Sequence, residues 1–123
     1  MARKSNMAFS ATLRTPETES RYGDLKKQSG WNEPCPLCKA ESIKVFKLWK
    51  LIRNDYPYDK VMRSHDMLVP LRHVPYDGIS DDEWEEYEKL KKEVAEVDYQ
   101  WIMEAMAGQS LPQHFHLHLV IAK

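Results

Sequence analysis

The chain has 123 residues, of which 42% are hydrophobic and 30% are charged, and a chain of this length forms one domain around a single core. Its 18 basic and 19 acidic residues nearly cancel, which excludes a general attraction to polyanions and leaves nucleic-acid binding open only through a local basic patch. No apolar run approaches the roughly 18–20 residues that cross a bilayer, so we expect no membrane association.

Residues 1–30 differ in composition from the rest of the chain. They are rich in Lys, Arg, Ser, Thr and Glu, and they follow neither a period of two nor one of 3.6 residues. They also contain no apolar stretch that would serve as a signal-peptide core. We therefore interpret residues 1–30 as a flexible N-terminal arm, residues 31–123 as the folded domain, and the protein as cytoplasmic.

Four apolar segments of the domain are candidates for β-structure. They are Ile43–Ile52, Val61–Pro70, Tyr99–Met106 and His114–Ala122. The first fits either a half-buried strand or a short helix, because its periodicity alone does not decide. The other three read as strands, with turns predicted by composition at residues 54–59 and 107–113.

One helix is predicted between the second and third of these segments. Ser80 and Glu83 form a capping-box pattern, and apolar residues follow at helical spacing, namely Trp84, Tyr87, Leu90 and Val94. The charged residues among them, including Glu86, are expected on its solvated face. Strands interrupted by one helix predict an α+β fold, an antiparallel sheet of about four to five strands with that helix packed on one face.

Three histidines alternate in the last predicted strand, at His114, His116 and His118. Alternate side chains of a strand share one face and lie about 6.6–6.8 Å apart. The three imidazoles are therefore expected in one row, with Phe115 and Leu117 turned toward the core. A polar edge strand that happens to use histidine is the less favoured interpretation.

The chain has two cysteines, Cys35 and Cys38, two residues apart in a Cys-x-x-Cys motif. Such a pair holds a metal or acts as a redox couple more often than it forms a structural disulfide in a protein that is not exported. A closed zinc site needs four nitrogen or sulfur ligands, and we select His73 and His114 as the other two. The redox alternative is weaker, because no βαβ pattern surrounds the motif.

Residues 114–120, His-Phe-His-Leu-His-Leu-Val, resemble the histidine-triad motif at every position. Residues 107–113 resemble the glycine and proline turn before the triad in the diadenosine-polyphosphate hydrolase and phosphorylase branch of that family. Residues 54–58 and 65–73 resemble the first two sheet strands of the same branch. The resemblance covers residues 31–123 and implies a histidine-triad-like fold.

The resemblance also implies functional roles. A structural zinc would be held by Cys35, Cys38, His73 and His114. His116 would attack the α-phosphorus of a nucleotide and form a nucleotidyl-histidine. The substrate would be bound by Asn54, Gln109, Ser110 and His118. Dinucleoside polyphosphates or nucleoside phosphoramidates are the implied substrates, and a homodimer is the implied assembly.

Two other functions remain open at this point. A zinc-stabilised module that senses a nucleotide or docks a partner would bind ligand without turnover. A redox or metal-trafficking protein built on Cys35 and Cys38 would hold its metal loosely. The intact spacing of the three histidines favours the enzyme, because a binding module has no need of an accessible nucleophile.

Overall fold

The computed structural model describes residues 12–105 and 111–123, and in them a five-stranded antiparallel sheet forms the centre of the fold. The strands are β1 (Ser42–Val45), β2 (Trp49–Arg53), β3 (Met62–Pro70), β4 (Trp101–Met103) and β5 (Leu117–Ala122). Their spatial order is β1-β2-β3-β5-β4. In the central pair, Met67 lies opposite His118 and Leu68 lies opposite Leu117.

Three helices accompany the sheet: α1 (Pro16–Lys26), α2 (Pro36–Lys39) and α3 (Asp81–Leu90). The predicted capping box of α3 is present, with Ser80 and Glu83 bonded reciprocally. The helix continues through a π-helical turn, Lys91–Ala95, and ends in a last α-helical turn, Glu96–Asp98. The α+β class, with one main helix beside an antiparallel sheet, is confirmed.

The two faces of the sheet bury different sets of residues, because side chains alternate along each strand. Leu68, Phe115, Leu117 and Leu119 pack with Trp49 and the apolar side of α3. The opposite face buries Ile52, Met67 and Val69 against Cys35, Leu37 and Leu111. The three alternating histidines belong to this second face, as predicted.

The prediction of a flexible arm is wrong for the part of it that the structure describes. Pro16–Lys26 form α1, capped by Thr15, whose hydroxyl accepts from the Thr18 amide. The Thr18 hydroxyl donates to the Asp59 carboxylate over 2.5 Å. Tyr22 is buried and stacks on Tyr56, with 4.8 Å between ring centroids. These contacts reach residues about forty positions away, so local periodicity gave no sign of them.

Several predicted segment boundaries also require correction. Residues 43–52 form neither one strand nor one helix, because a turn at Phe46–Leu48 divides them between β1 and β2. The amides of Lys47 and Leu48 in that turn donate to the Glu86 carboxylate over 3.0 and 2.7 Å, so Glu86 is not merely a solvated residue of α3. The fourth strand is three residues long, and the last begins at Leu117 rather than His114.

No helix among residues 12–105 and 111–123 is long and apolar enough to cross a membrane.

The end of β3 is tied to α3 by an ion pair. Arg72 Nη2 lies 2.5 Å from Glu83 Oε1, and Arg72 Nε donates to Glu83 Oε2 over 3.1 Å. The Glu83 side chain is 2% exposed, and the hydrogen bond from Arg72 lowers the pKa of its carboxyl. These two hydrogen bonds fix the position of Arg72, the residue before His73 in the sequence.

We expect Arg72→Ala to lower the free energy of unfolding, because the buried carboxylate of Glu83 loses its charged partner. Urea unfolding of the variant and wild type measures the difference. Arg63→Ala is the matched control, since Arg63 is an exposed arginine of β3. Equal stability of all three proteins would contradict this role of Arg72.

Candidate active site and metal centre

Four side chains from three separate segments converge beside the edge of the second sheet face, and we call them the Cys2His2 site. They are Cys35, Cys38, His73 and His114, and their ligand atoms all lie within 4.8 Å of one another. Cys38 Sγ is 3.2 Å from His73 Nδ1 and 3.3 Å from His114 Nδ1. Cys35 Sγ is 3.5 Å from His114 Nδ1, and the two Nδ1 atoms are 3.2 Å apart. The four residues are thus close enough to hold one metal ion.

The spacing and the donor atoms both suit a tetrahedral ion. Bonds of about 2.0–2.3 Å from zinc to nitrogen and sulfur place neighbouring ligands roughly 3.3–3.8 Å apart. His114 is fully buried, and its Nε2–H donates to the Pro70 carbonyl over 3.0 Å. That hydrogen bond fixes the tautomer, because it leaves the lone pair of His114 on Nδ1, which faces the other three ligands.

A short helix positions the two sulfur atoms of the Cys-x-x-Cys motif. Cys35 is the N-cap of α2, and Cys38 lies within it, so one turn of backbone presents both sulfur atoms to the same point. Lys50 of β2 anchors this turn: its Nζ donates to the carbonyls of Cys38 and Ala40 over 3.2 and 3.3 Å. The motif is therefore attached to the sheet through a residue of the second face.

His116 lies two residues beyond the buried ligand His114 and is held by the backbone. Its Nδ1–H donates to the His114 carbonyl over 2.9 Å. In the neutral ring Nε2 is then the nitrogen with the lone pair. Burial lowers the pKa of His116 below its usual value, which favours this neutral and nucleophilic form near pH 7.

His118 is paired with His65, a histidine for which the sequence predicted no role. The Tyr58 amide donates to His65 Nδ1 over 2.9 Å, so the proton of neutral His65 is on Nε2. His65 Nε2 lies 2.7 Å from His118 Nδ1 and donates to it. The proton of His118 is therefore on its Nε2. That atom is buried and has no hydrogen-bond partner among the residues that the structure describes.

The chain of hydrogen bonds thus ends in a buried donor, His118 Nε2–H, for which the described part of the chain provides no acceptor. Such a group is costly unless a ligand or water satisfies it. Burial lowers the pKa of His65 to about 4, with a contribution from the positive charge of Arg14. Burial and the neighbouring His65 lower the pKa of His118 to about 3. Both rings are consequently neutral at pH 7, and His118 presents N–H rather than a lone pair.

A cavity of about 120 Å³ lies against these histidines, and we call it the triad cavity. It is lined by His116 and His118, by apolar side chains that include Ile52, Met67 and Leu111, and by polar groups that include Arg14 and Asn54. It is smaller than the roughly 300–1,000 Å³ of typical small-molecule sites. It therefore accommodates only part of a nucleotide in this conformation.

Asn54 lies at the triad cavity, as a substrate contact should, but its amide is already engaged. Its Oδ1 accepts from the Tyr56 amide over 2.8 Å, as in a turn. Its Nδ2 lies 3.2 Å from His65 Nε2. Both nitrogens carry protons in the tautomers derived above, so this contact is not a hydrogen bond. Asn54 thus stabilises the loop before β3 through its Oδ1. Its Nδ2–H groups remain available to donate a hydrogen bond to a ligand.

The structure brings the predicted site residues together in two neighbouring groups. The first is the Cys2His2 site. The second, at the triad cavity, contains His116, His118 and Asn54. Gln109 and Ser110 lie outside the described residues.

Sequence reasoning missed Arg14 and Tyr22, which line the cavity, and His65, which is hydrogen-bonded to His118. For His65 a signal existed, since alternation along β3 places it on the same face as Met67, which pairs with His118.

Comparison with known proteins gives weak similarities only. No family model matches the chain, and no curated protein matches it significantly. An HIT family hydrolase from Legionella pneumophila Philadelphia 1 superposes with a TM-score of 0.49 and 19% identity, over 71% of this chain and 90% of that one. A histidine triad protein from Clostridium difficile gives a TM-score of 0.47 and 22% identity, over 73% and 90%. Similarities of this size do not assign a family or an activity.

Removing one ligand of the Cys2His2 site should release the metal. We expect the purified protein to carry about one metal ion per chain, and Cys38→Ala to lose it and to melt at a lower temperature, because three ligands do not close the site. Elemental analysis and calorimetry measure both quantities. His116→Ala is the matched control and should retain the metal; a full metal content in Cys38→Ala would contradict the assignment.

The buried histidine pair should stay neutral well below the usual histidine pKa. We expect the imidazole NMR signals of His65 and His118 to keep their neutral-form shifts from pH 8 down to about pH 5, because their pKa values in the folded protein are about 4 and about 3. The unfolded chain binds protons at both rings once the pH falls below about 6.5. Their contribution to stability is therefore complete above pH 6.5 and is lost as the pH falls through 4 and 3. A midpoint near 6.5 for either ring would disprove the pairing.

Proposed function

We propose that this protein is a hydrolase or transferase that cleaves at the α-phosphate of a nucleotide through a nucleotidyl-histidine intermediate on His116. The observation that carries the proposal is the paired arrangement at the triad cavity. The Nδ1–H of His116 is hydrogen-bonded to the His114 carbonyl, which leaves the lone pair on Nε2, and His118 offers a buried N–H that has no partner within residues 12–105 and 111–123. One ring supplies a nucleophile and the other a donor for a developing negative charge.

In the first step, His116 Nε2 forms a bond to the α-phosphorus, and the bond from phosphorus to the leaving group breaks. The imidazole becomes positively charged as it attacks. The His114 carbonyl, 2.9 Å from Nδ1, stabilises that charge by accepting the Nδ1–H. The leaving group departs with the electron pair of the broken bond.

In the second step, water or another acceptor attacks the same phosphorus and the P–N bond breaks. The attacking oxygen loses its proton to solvent water, and His116 returns to its neutral form with the lone pair on Nε2. Division of one displacement into two lowers each barrier, which is the general advantage of covalent catalysis.

His118 is suited to stabilise the phosphoryl oxygens in both steps. Its Nε2–H is not bonded to any residue that the structure describes, and the hydrogen bond from His65 fixes the tautomer that places the proton there. A preorganised donor in a buried site stabilises a charged transition state more than the same donor does in water. His65 is thus a positioning residue that acts through His118.

For the Cys2His2 site we propose a structural zinc. Its four donors are the kind and number that close a tetrahedral zinc site, which leaves no position for a substrate. When bound, the ion would supply rigidity rather than Lewis-acid chemistry. His114 would be fixed by the ion on Nδ1 and by the Pro70 carbonyl on Nε2, and the backbone carbonyl that orients His116 belongs to this fixed residue.

The chemistry applies to substrates that carry a leaving group on a nucleotide α-phosphate. Dinucleoside polyphosphates and nucleoside phosphoramidates are the two classes we propose to test. They differ in the leaving group, a nucleoside polyphosphate in the first and an amine in the second, and the amine takes up a proton from water as it leaves. The attack on phosphorus by His116 is common to both.

His116→Ala should reduce turnover of a cleaved substrate by on the order of 10³-fold or more, because the variant has no nucleophile. Release of nucleoside monophosphate from a panel of adenosine and guanosine substrates of both classes measures the effect. His73→Ala is the companion variant, which should lose metal, whereas His116→Ala should keep it.

Two results would contradict this proposal. Undiminished turnover by His116→Ala would exclude His116 as nucleophile. Tight nucleotide binding by the wild type without turnover of any substrate in the panel would favour a binding module instead.

A further inference from the structure

Helix α1 and the residues before it form one wall of the triad cavity, although the sequence placed them outside the domain. Arg14, Tyr22 and Leu25 line the cavity together with His116 and His118. Residues 14 and 22 are far from the triad in sequence, so only the fold brings them to the proposed site of chemistry. Asp59, in the loop before β3, attaches this wall to the rest of the domain. Its carboxylate accepts hydrogen bonds from the Thr15 amide and the Thr18 hydroxyl.

Arg14 is held in this wall by contacts on several sides. Its Nε donates to the Tyr56 carbonyl over 2.7 Å. Its guanidinium carbon lies 4.6 Å from the Tyr22 ring centroid and 5.0 Å from that of Tyr58. The side chain is 16% exposed. A guanidinium fixed by aromatic faces and a carbonyl loses little conformational freedom when it binds a ligand.

The charge of Arg14 is only partly balanced. Its nearest carboxylate is Glu19, at 3.6 Å from Nη1, and the Glu19 side chain is 40% exposed, so water weakens that pair. His118, which also lines the cavity, and its partner His65 are both neutral. The positive charge of Arg14 contributes to the lowered pKa of each of these rings. The electrostatic field of Arg14 therefore extends to the two imidazoles. A cation in this position favours an anionic ligand.

The planar shape of the Arg14 guanidinium indicates which anion it would bind. Guanidinium presents several N–H donors in one plane, a geometry that matches the oxygens of a phosphate. The same cavity offers His118 Nε2–H, a buried donor without a partner among residues 12–105 and 111–123. Its apolar residues include Tyr22, Trp31 and Ile52, which suit a base or sugar rather than a second charge. The cavity thus combines donors for phosphate with apolar walls.

We propose that Arg14 binds phosphate oxygens of the substrate and that α1 forms a wall of the nucleotide site. The inference rests on the proposed function, and it adds a binding residue from a segment outside the 31–123 region. This proposal predicts that Arg14 contributes to the affinity for ligands that carry phosphate and not to the affinity for nucleosides. A purely structural Arg14 would instead affect nucleosides and nucleotides alike.

The test measures binding rather than turnover, by calorimetry with the His116→Ala protein to prevent cleavage. The ligands are adenosine, AMP and ADP, together with the corresponding guanosine series. Arg14→Gln is the test substitution, because it removes the charge while its amide can still donate to the Tyr56 carbonyl. Arg21→Gln is the matched control: Arg21 lies on α1, is exposed and also lies over a tyrosine ring, that of Tyr56 at 5.2 Å, but does not line the cavity.

We expect Arg14→Gln to weaken AMP and ADP by about 10- to 100-fold, the usual range for a charge-assisted hydrogen bond, and to leave the nucleosides nearly unchanged. Arg21→Gln should bind every ligand as the parent does. Equal weakening of nucleosides and nucleotides by Arg14→Gln, or no weakening at all, would overturn the phosphate role of Arg14 while leaving the proposed function in place. Failure of the parent to bind any nucleotide would overturn both.

Discussion

The arrangement of the proposed active site depends on one buried imidazole. His114 is fully buried, directs Nδ1 at two cysteines and a second histidine, and donates from Nε2 to the Pro70 carbonyl at the end of β3. Because both ring nitrogens are used, neither the ring nor the adjacent backbone can turn freely. The carbonyl of this residue accepts the proton of His116. A metal ion at the Cys2His2 site would therefore determine the geometry of the nucleophile without touching the substrate.

The alternation of side chains along a strand divides the residues of the last segment into two sets. Its odd-numbered residues, Phe115, Leu117 and Leu119, pack against Trp49 and α3 and contribute to the core. The even-numbered residues face the other way, where His114 joins the Cys2His2 site and His116 and His118 line the triad cavity. A shift of register by one residue would exchange these two sets, so the apolar core also protects the chemistry. Arg72 also stabilises this arrangement, because its ion pair with the buried Glu83 connects the end of β3 to α3.

Local patterns in the sequence predicted those parts of the molecule that are determined locally. The capping box at Ser80 predicted the start of α3, and the spacing of cysteines and histidines predicted the four residues that converge. Parts determined by distant contacts were missed. Helix α1 is weakly amphipathic and is held by Tyr56 and Asp59. The partnership of His65 with His118 depends on the register between β3 and β5, which no local pattern specifies. The hairpin in residues 43–52 was also missed, since the apolar run continues through its turn.

The central claim is that His116 becomes covalently bonded to a nucleotide during the reaction. Rapid mixing of the protein with a cleavable nucleotide substrate, followed by denaturation at alkaline pH and mass spectrometry of the intact chain, tests it directly, because a phosphorus–nitrogen bond to histidine survives better in base than in acid. The account predicts an added nucleotidyl group that peptide mapping places on His116, and no adduct in His116→Ala. Cleavage of substrate without any adduct, or an adduct on another residue, would contradict it.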